Sequence, residues 1–271
     1  MQLGLIVLAG ALLVGAGLWV KDALFSINPG KGTAIGPSVR TDRHVATLIQ
    51  TLEPYVPSLD RNAGDDTYSI SLFLVPLDGS STHLIPLRSG LPPDGFSLAR
   101  ILGSDGRTLW FNVAGVGGVD LAAYKLRPEA EVSNVDPRAL PRPWGDSPLA
   151  PRPEHFLRAV GESEYLDAAF LRASNTSTPI RLDGPPGTLM LYTSMPGPQG
   201  TAVVARVDDA GKLLWRADTG ISRFALQQIL PGTDSTAFVG PRPPVPDRVS
   251  EPRLVIIEHD SGRQVTHSLW R

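Results

Sequence analysis

The sequence predicts an all-β domain made of a repeated unit, preceded by an apolar N-terminal segment. The chain of 271 residues contains 27 glycines and 26 prolines, a share that favours many tight turns over long helices. Short apolar or alternating runs, each bounded by Gly, Pro, Asp or Asn, follow one another from His44 to the C-terminus, as β-strands do. Two of the longer stretches match each other without a gap, which indicates a repeat.

The N-terminal segment from Leu3 to Val20, LGLIVLAGALLVGAGLWV, carries no charge. As a helix it would span about 27 Å, close to the thickness of the hydrocarbon core of a bilayer. No Lys or Arg precedes it, unlike the start of a secretory signal peptide. We therefore predict an uncleaved transmembrane anchor over residues 1–22, with membrane contact through residues 3–20. The alternative is a signal peptide that is cleaved after Ala16.

The orientation of this anchor follows from two opposing arguments. The basic residues that follow it, Lys21, Lys31, Arg40 and Arg43, favour a cytoplasmic domain by the positive-inside rule. Translocation of a long domain is governed only loosely by such charges, and a single N-terminal anchor most often holds a domain outside the cytoplasm. We expect a single-pass protein of the cell membrane with its domain on the extracytoplasmic side.

The remaining chain divides by composition into a tether and a domain. Residues 23–43, which include INPGKGTAIGPSV, are rich in turn residues and predict a flexible tether. Residues 44–271 form the β domain. Its strand-like runs are VATLIQTL, YSISLFLVPL, THLIPL, FSLARIL, TLWFNVA, VDLAAYKL, TLMLYTSM, TAVVARVD, KLLWRAD, FALQQIL, STAFVG, RLVIIEH and QVTHSLW. The best helical candidate, EHFLRAVGESEYL at 154–166, is interrupted by a glycine.

Charge and cysteine content exclude several classes of function. A net charge of −2 and an isoelectric point near 6.2 give no basic field, so we expect no nucleic-acid partner. The chain has no cysteine, which excludes disulfides, cysteine-ligated zinc, iron–sulfur clusters, thiol nucleophiles and a lipid-modified N-terminal cysteine.

An internal repeat organises the strand-like runs. The stretch FSLARILGSDGRTLWF, which starts at Phe96, aligns with FALQQILPGTDSTAFV, which starts at Phe224, and the alignment places Trp110 opposite Phe238. A weaker third copy starts near Ala168. The units recur roughly every 55 to 65 residues, each with room for three or four strands, and the stretch His44–Leu52 is the candidate start of a fourth unit.

The stretch GKLLWRADTG at 211–220 follows the strand-like run TAVVARVDD. The stretch 203–220 contains a hairpin turn, then an apolar strand with a tryptophan, then Asp-Thr-Gly. This order resembles the blade repeat of quinoprotein-type β-propellers. This resemblance implies a small propeller of about four to five blades, with GKLLWRADTG as the last strand of a blade. A β-sandwich with a fortuitous internal match is the alternative.

Quinone dehydrogenases of that family stack their cofactor on a tryptophan above a vicinal disulfide and a calcium ion. The chain has no cysteine and is too short for the eight blades that surround this cofactor, so we expect no cofactor. The domain tryptophans, Trp110, Trp144, Trp215 and Trp270, are then interpreted as packing or turn residues.

Other candidate sites have simple structural interpretations. The Asx-rich stretch Asp60–Asp66 lacks the spacing of a calcium loop and fits a solvated turn. The cluster Gly115, Gly117 and Gly118 has no following GK[ST] and fits a hairpin loop better than a phosphate cradle. The proline-rich stretches 137–153 and 241–246 fit rigid loops, with partner recruitment as the alternative.

No residue pattern marks a catalytic or metal site, so the catalytic residues stay unknown and no metal ligands are assigned. The histidines have no metal-ligand spacing; they are His44, His83, His155, His259 and His267. His259, Asp260 and Ser261 are adjacent, so their side chains alternate between faces of a strand and cannot form a triad. The carboxylate pairs Asp208–Asp209 and Glu162 with Glu164 fit solvated turns.

The sequence leaves two hypotheses for the function of the chain. The first is a membrane-anchored, non-enzymatic propeller-like domain that holds an envelope protein or a small ligand. The second is an envelope enzyme, a hydrolase or lyase, with carboxylates gathered from separate blades at the central channel.

Overall fold

The computed structural model describes residues 32–54, 66–92, 99–132, 136, 149–150, 165–173, 178–246 and 248–270. Within these ranges the regular secondary structure is β, apart from one helical turn at Glu129–Val132. No helix in the described ranges has the length and apolarity that a membrane span requires. The predicted anchor, most of the Asx-rich stretch and the helical candidate before Tyr165 lie outside the described residues.

The strands form four antiparallel sheets, which we name sheets I to IV in chain order. Sheet I contains β1 Thr33–Arg40, β2 His44–Glu53, β3 Thr67–Pro76 and β4 His83–Leu91. Sheet II contains β5 Arg100–Ser104, β6 Thr108–Asn112, β7 Val116–Asp120 and β8 Lys125–Leu126. Sheet III contains β9 Leu149–Ala150, β10 Leu166–Leu171, β11 Arg181–Leu182, β12 Gly187–Thr193, β13 Thr201–Val207 and β14 Leu213–Ser222. Sheet IV contains β15 Gln228–Pro231, β16 Ser235–Pro241, β17 Pro252–Glu258 and β18 Gln264–Ser268.

Both faces of sheet I are buried, because apolar side chains occupy successive positions of β3 rather than alternate ones. Leu72 and Leu74 pack with side chains of sheet II in one core cluster. Phe73 and Val75, on the opposite face, pack with side chains of sheet IV. Sheets III and IV share a further cluster. A sheet of a β-sandwich buries one face only, so the sandwich alternative is wrong.

The repeat corresponds to one sheet. The first strands of sheets I, II and IV and the strand β10 of sheet III start 62 to 67 residues apart, slightly more than the sequence indicated. Sheets I, II and IV are meanders in which each strand pairs with the next along the chain. Successive four-stranded meanders packed face to face give a propeller-like fold. GKLLWRADTG lies mostly in β14, an edge strand of sheet III that leads into sheet IV, as predicted.

The N-terminal boundary of the sheets differs from the one predicted. Residues 33–40, which composition placed in the tether 23–43, form β1 and pair with β2. The turn residues within β1 lie where its register with β2 shifts, and Gly36 has a φ of 62° there. From Ile35 to Val39, β1 contains two residues more than the facing part of β2, and a bulge accommodates extra residues and a glycine without ending the strand. His44–Leu52 therefore lies in the second strand of its sheet, not the first.

The gapless repeat match is offset by one residue in its second strand. Ile229 pairs with Phe238, whereas Ile101 pairs with Phe111, because a bulge between Ile101 and Gly103 adds a residue. Trp110 and Phe238 lie in equivalent strands and both are buried, as expected. The residue that shares the face of Phe238 in sheet II, however, is Phe111, since Phe111 packs on sheet I and Phe238 on the preceding sheet III.

Candidate functional site

The two ends of the sheets carry different connections. The first strands of sheets I and IV, β1 and β15, run parallel to each other. Ser38 lies beside Gln228, and two residues further along both strands Arg40 lies beside Leu230. The Ser38 N–H donates to Gln228 Oε1 at 2.7 Å, and Gln228 Nε2 donates to the Ser38 carbonyl at 3.2 Å. We call the end where these strands start the loop end and the opposite one the turn end.

The turn end is closed by short turns of three to six residues, apart from the link that contains β11. Asp78, Asp105, Asp120 and Asp208 each accept backbone N–H groups through their side chains at these turns. The N–H groups of Ala123 and Ala122 hold the pKa of Asp120 below its ordinary value. Such Asx turns are structural, so these carboxylates are occupied by their own backbone.

The loop end carries the longer connections. The second turn of sheets II, III and IV lies here, namely 113–115, 194–200 and the described part of 242–251. The strands on either side of 55–65 and of 93–98 also end and begin at this end. The proline-rich stretch at 241–246, singled out in the sequence, lies at this end. Of the stretch 137–153, the structure describes Leu149 and Ala150, which form β9 and pair with Leu171 and Phe170 of β10. Binding residues are disproportionately found on such loops when a rigid scaffold positions them.

Three loops at this end are joined over sheets III and IV, and we call their described residues the apolar loop cluster: 194–200, 223–227, 242–246 and 248–251. The Arg223 N–H donates to the Gly200 carbonyl at 2.9 Å, and Gln199 Nε2 donates to the Pro244 carbonyl at 2.9 Å. The cluster carries four of the exposed large hydrophobic residues of the described chain, namely Met195, Phe224, Val245 and Val249.

One arginine of the apolar loop cluster interacts with a charge of sheet III. Asp167, the second residue of β10, has a φ of 50°, and its charge acts on Arg223. Burial lowers the pKa of Arg223, and Asp167 opposes that shift. A left-handed conformation at a residue other than glycine is strained and is found at functional positions more often than elsewhere.

A ring cluster joins sheets I and II at the turn end. His44 Nε2 lies 3.2 Å from Tyr124 Oη, and the ring of His83 stacks on Tyr124 with centroids 3.6 Å apart. His44 Nδ1 is buried and has no partner. Burial lowers the pKa of His44, which Asp78 opposes and His83 reinforces. The sequence does not predict this cluster, because nothing in the spacing of the two histidines indicates that Tyr124 of another sheet lies between them.

A second polar cluster joins sheets I and IV at the turn end. His259 Nδ1 lies 3.0 Å from the Thr233 carbonyl and Nε2 lies 2.9 Å from Thr236 Oγ1. The Arg40 guanidinium donates to Ser235 Oγ at 2.9 Å. His259 and Thr236 are both about 1% exposed, so this imidazole and hydroxyl bind each other within sheet IV and offer no surface to a substrate. The bond from Arg40 to Ser235 is the one that joins sheets I and IV here.

The buried His259 predicts a stability change in acid. Burial lowers its pKa to about 4, with Arg40 adding to the shift and Asp234 and Asp260 opposing it. An unfolded histidine, with a pKa near 6.5, binds the proton more readily, so the free energy of unfolding falls as the pH drops from about 6.5 to about 4 and is unaffected by this group above that window. We expect a loss of about 3 kcal/mol, measured by urea unfolding across this range.

The variant His259→Gln is the control for this measurement. Glutamine keeps polar atoms at the site but has no titrating group, so the difference between the pH profiles of the two proteins isolates His259. Parallel profiles for the wild type and the variant would contradict the assignment.

The structure distributes the three adjacent residues 259–261 to different partners. Asp260 pairs with the buried Arg206 at 3.6 Å, and Ser261 Oγ donates to Glu258 at 2.9 Å. Asp209 forms an ion pair with Arg181. Neither the sequential set nor the Asp208–Asp209 pair is arranged for acid–base chemistry. Among the described residues, no group of three His, Asp or Glu side chains could hold a metal ion.

The described tryptophans pack or anchor turns. Trp110 Nε1 donates to Asp105 at 3.2 Å, and its ring covers Gly118. The ring of Trp215 lies against Gly262 of sheet IV. Gly117 and Gly118 lie in β7 rather than in a loop, opposite Phe111 and Trp110. Trp144, His155, Glu162 and Glu164 lie outside the described residues.

Comparison with known proteins gives no family. No family model matches the chain, and no curated protein matches it. Among solved structures, the chain is similar to the β-propeller domain of the Trilobed protease from Pyrococcus furiosus, with 11% identity and a TM-score of 0.22 over 88% of this chain and 57% of that one. It is also similar to the acylaminoacyl peptidase of Pyrococcus horikoshii, with 12% identity and a TM-score of 0.24 over 88% and 33% of the two chains.

A third structure, an acylaminoacyl peptidase in complex with Z-Gly-Gly-Phe-chloromethyl ketone, has 11% identity and a TM-score of 0.23, with 88% of this chain and 33% of that chain covered. The chain thus spans less than two thirds of the length of these structures. The strand pairing of the chain itself defines its fold.

Proposed function

We propose that the chain is a membrane-anchored, non-enzymatic binding domain that holds an envelope protein or a small ligand at its loop end. The contrast between the two ends supports this proposal most directly. Aspartate-capped turns occupy one end, and the joined loops that include the proline-rich stretch 241–246 occupy the other. A rigid β scaffold that gathers variable loops at one end is the arrangement that propellers use for binding.

The anchor in this proposal is the uncharged segment from Leu3 to Val20, with the domain on the extracytoplasmic side. Its length suits one membrane pass. The full propeller would consist of four blades, one for each sheet, which lies within the range of four to eight blades for this architecture.

The non-enzymatic part of the proposal draws on the described side chains. The two buried histidines lie at the turn end and are engaged with Tyr124, Thr236 and the Thr233 carbonyl. At the turn end, Asp105 and Asp208 cap turns and Asp209 is an ion-pair partner of Arg181. The alternative, a hydrolase or lyase, requires carboxylates converging from separate sheets at the loop end, where Asp167 is the candidate contribution of sheet III.

Site-specific photo-crosslinking in membranes of the source cells tests the proposal. A photo-reactive amino acid replaces Ala114 or Val116 at the loop end, or Asp209 or Ser261 at the turn end as controls. We expect one defined protein to crosslink from the loop-end positions and not from the controls, because only the loop end presents the binding surface.

Two outcomes would contradict this function. Equal crosslinking from both ends would show that the loop end is not selective. Turnover of any compound in a panel of ester, amide and glycoside substrates, abolished by Asp167→Asn, would establish the enzymatic alternative. A small ligand in place of a protein would appear as mass-spectrometric recovery of a bound compound from the purified full-length chain.

A further inference from the structure

We infer that the apolar loop cluster contacts the lipid headgroup region of the membrane that anchors the chain. This inference rests on the proposed anchoring, and it goes beyond the proposed function by assigning part of the loop end to lipid rather than to a partner. Three observations support lipid as the contact: the exposure of apolar side chains, the position at which the chain joins the sheets, and the charge around the cluster.

The first observation is the exposure of large apolar side chains on these loops. Phe224 is 67% exposed, Val249 59%, Val245 53% and Met195 51%. Single exposed apolar residues are ordinary, but several on contiguous loops indicate a surface that is covered in use. Hydrogen bonds between the loops hold these residues on one end of sheets III and IV.

The second observation is where the chain joins the sheets. β1 starts at Thr33, and its start lies at the loop end. Residues 21–32 connect Val20, the last residue of the uncharged segment, to this strand. Fully extended, these twelve residues reach at most about 40 Å. The loop end is therefore held within this distance of a bilayer that contains residues 3–20, and the turn end is joined to the chain only through the length of the sheets.

The third observation is the charge around the apolar side chains. Arg242 and Arg248 are exposed on the cluster, and Arg223, which also belongs to it, is half-buried. Glu251, the carboxylate described on these loops, faces Arg253 at 3.8 Å. Apolar and aromatic tips with arginines around them match an anionic membrane interface, where the apolar groups enter the headgroup region and the cations meet lipid phosphates.

The exposed apolar residues of the turn end provide a matched contrast. Leu84, Leu126, Leu213 and Val265 lie on the outer strands of four different sheets. They are distributed one to a sheet rather than gathered on joined loops. A lipid surface can cover one end of the domain only, so these positions stay in water when the loop cluster is in contact with lipid.

Fluorescence of single-cysteine variants tests this inference. The chain has no cysteine, so Phe224→Cys, Met195→Cys and Val249→Cys can each carry one environment-sensitive dye, with Leu213→Cys and Val265→Cys as controls. The full-length protein is reconstituted into vesicles of phosphatidylcholine and phosphatidylglycerol, with and without lipids that bear a nitroxide near the headgroup. We expect a blue shift and at least about threefold stronger nitroxide quenching at the loop positions than at the controls.

Each other outcome overturns the inference and separates it from the proposed anchoring. Equal quenching at both ends, in a chain that floats with the vesicles, leaves the anchor in place and refutes the lipid contact. A blue shift without nitroxide quenching means that protein, a second copy of the chain, covers the cluster. A chain that does not float refutes the anchoring, and the lipid contact falls with it.

A second variant links the signal to the apolar side chains. Met195→Asp together with Phe224→Asp is expected to abolish quenching of a dye at Val249→Cys, because two carboxylates at an anionic interface are repelled and remain hydrated. Retained quenching in this variant would also overturn the inference.

Discussion

Replacing Phe238 by alanine is expected to lower the free energy of unfolding by about 3 to 5 kcal/mol, the cost of removing a buried aromatic side chain. Phe238 has no exposed surface and belongs to the core cluster in which sheets III and IV meet. Its loss leaves a cavity between two sheets rather than within one. Differential scanning calorimetry and urea unfolding measure the effect.

The chain offers a matched control in Phe224, which is 67% exposed. The substitution Phe224→Ala removes the same atoms from a loop and is expected to change the stability by less than about 0.5 kcal/mol. Trp110→Ala, 6% exposed, should cost about as much as Phe238→Ala. If Phe238→Ala were as stable as Phe224→Ala, the packing of sheet III on sheet IV would be refuted.

The strands that sequence predicted best are those whose signal is local. YSISLFLVPL gives β3 because a run of apolar and β-branched residues favours a strand wherever it lies. Residues 33–40 lack such a local signal. β1 contains Gly36 and Pro37, which read as linker, and it becomes a strand because β2 supplies its hydrogen-bond partners across a bulge.

The ring cluster and the apolar loop cluster could not be predicted from the sequence, for a different reason. Tyr124 lies between His44 and His83 only because sheets I and II pack face to face. Likewise, nothing local in the proline-rich stretch at 241–246 indicates that Pro244 meets Gln199. Contacts between sheets depend on how the meanders stack, and the hydrophobic period of one strand carries no information about that stacking.

The glycines of β7 carry the last prediction, because two effects on the stability of the strand oppose each other there. Strand propensity favours valine over glycine by up to about 1 kcal/mol. A Cβ at Gly117, however, would lie 2.4 Å from Cζ of Phe111, and the two residues are direct cross-strand partners. Phe111 is itself packed in the cluster between sheets I and II, so its ring has no free space to move into.

We therefore expect Gly117→Val to destabilise the domain by about 1 to 3 kcal/mol, the range of an overpacked core. The sign of the stability change separates the two effects, since strand propensity alone would make the Gly117→Val variant more stable. A double-mutant cycle with Phe111→Leu identifies the cause: the smaller side chain makes room for the new methyl groups, so Gly117→Val should cost much less in that background. Equal costs in both backgrounds, measured by urea unfolding, would show that the glycine is required by the backbone and not by the ring.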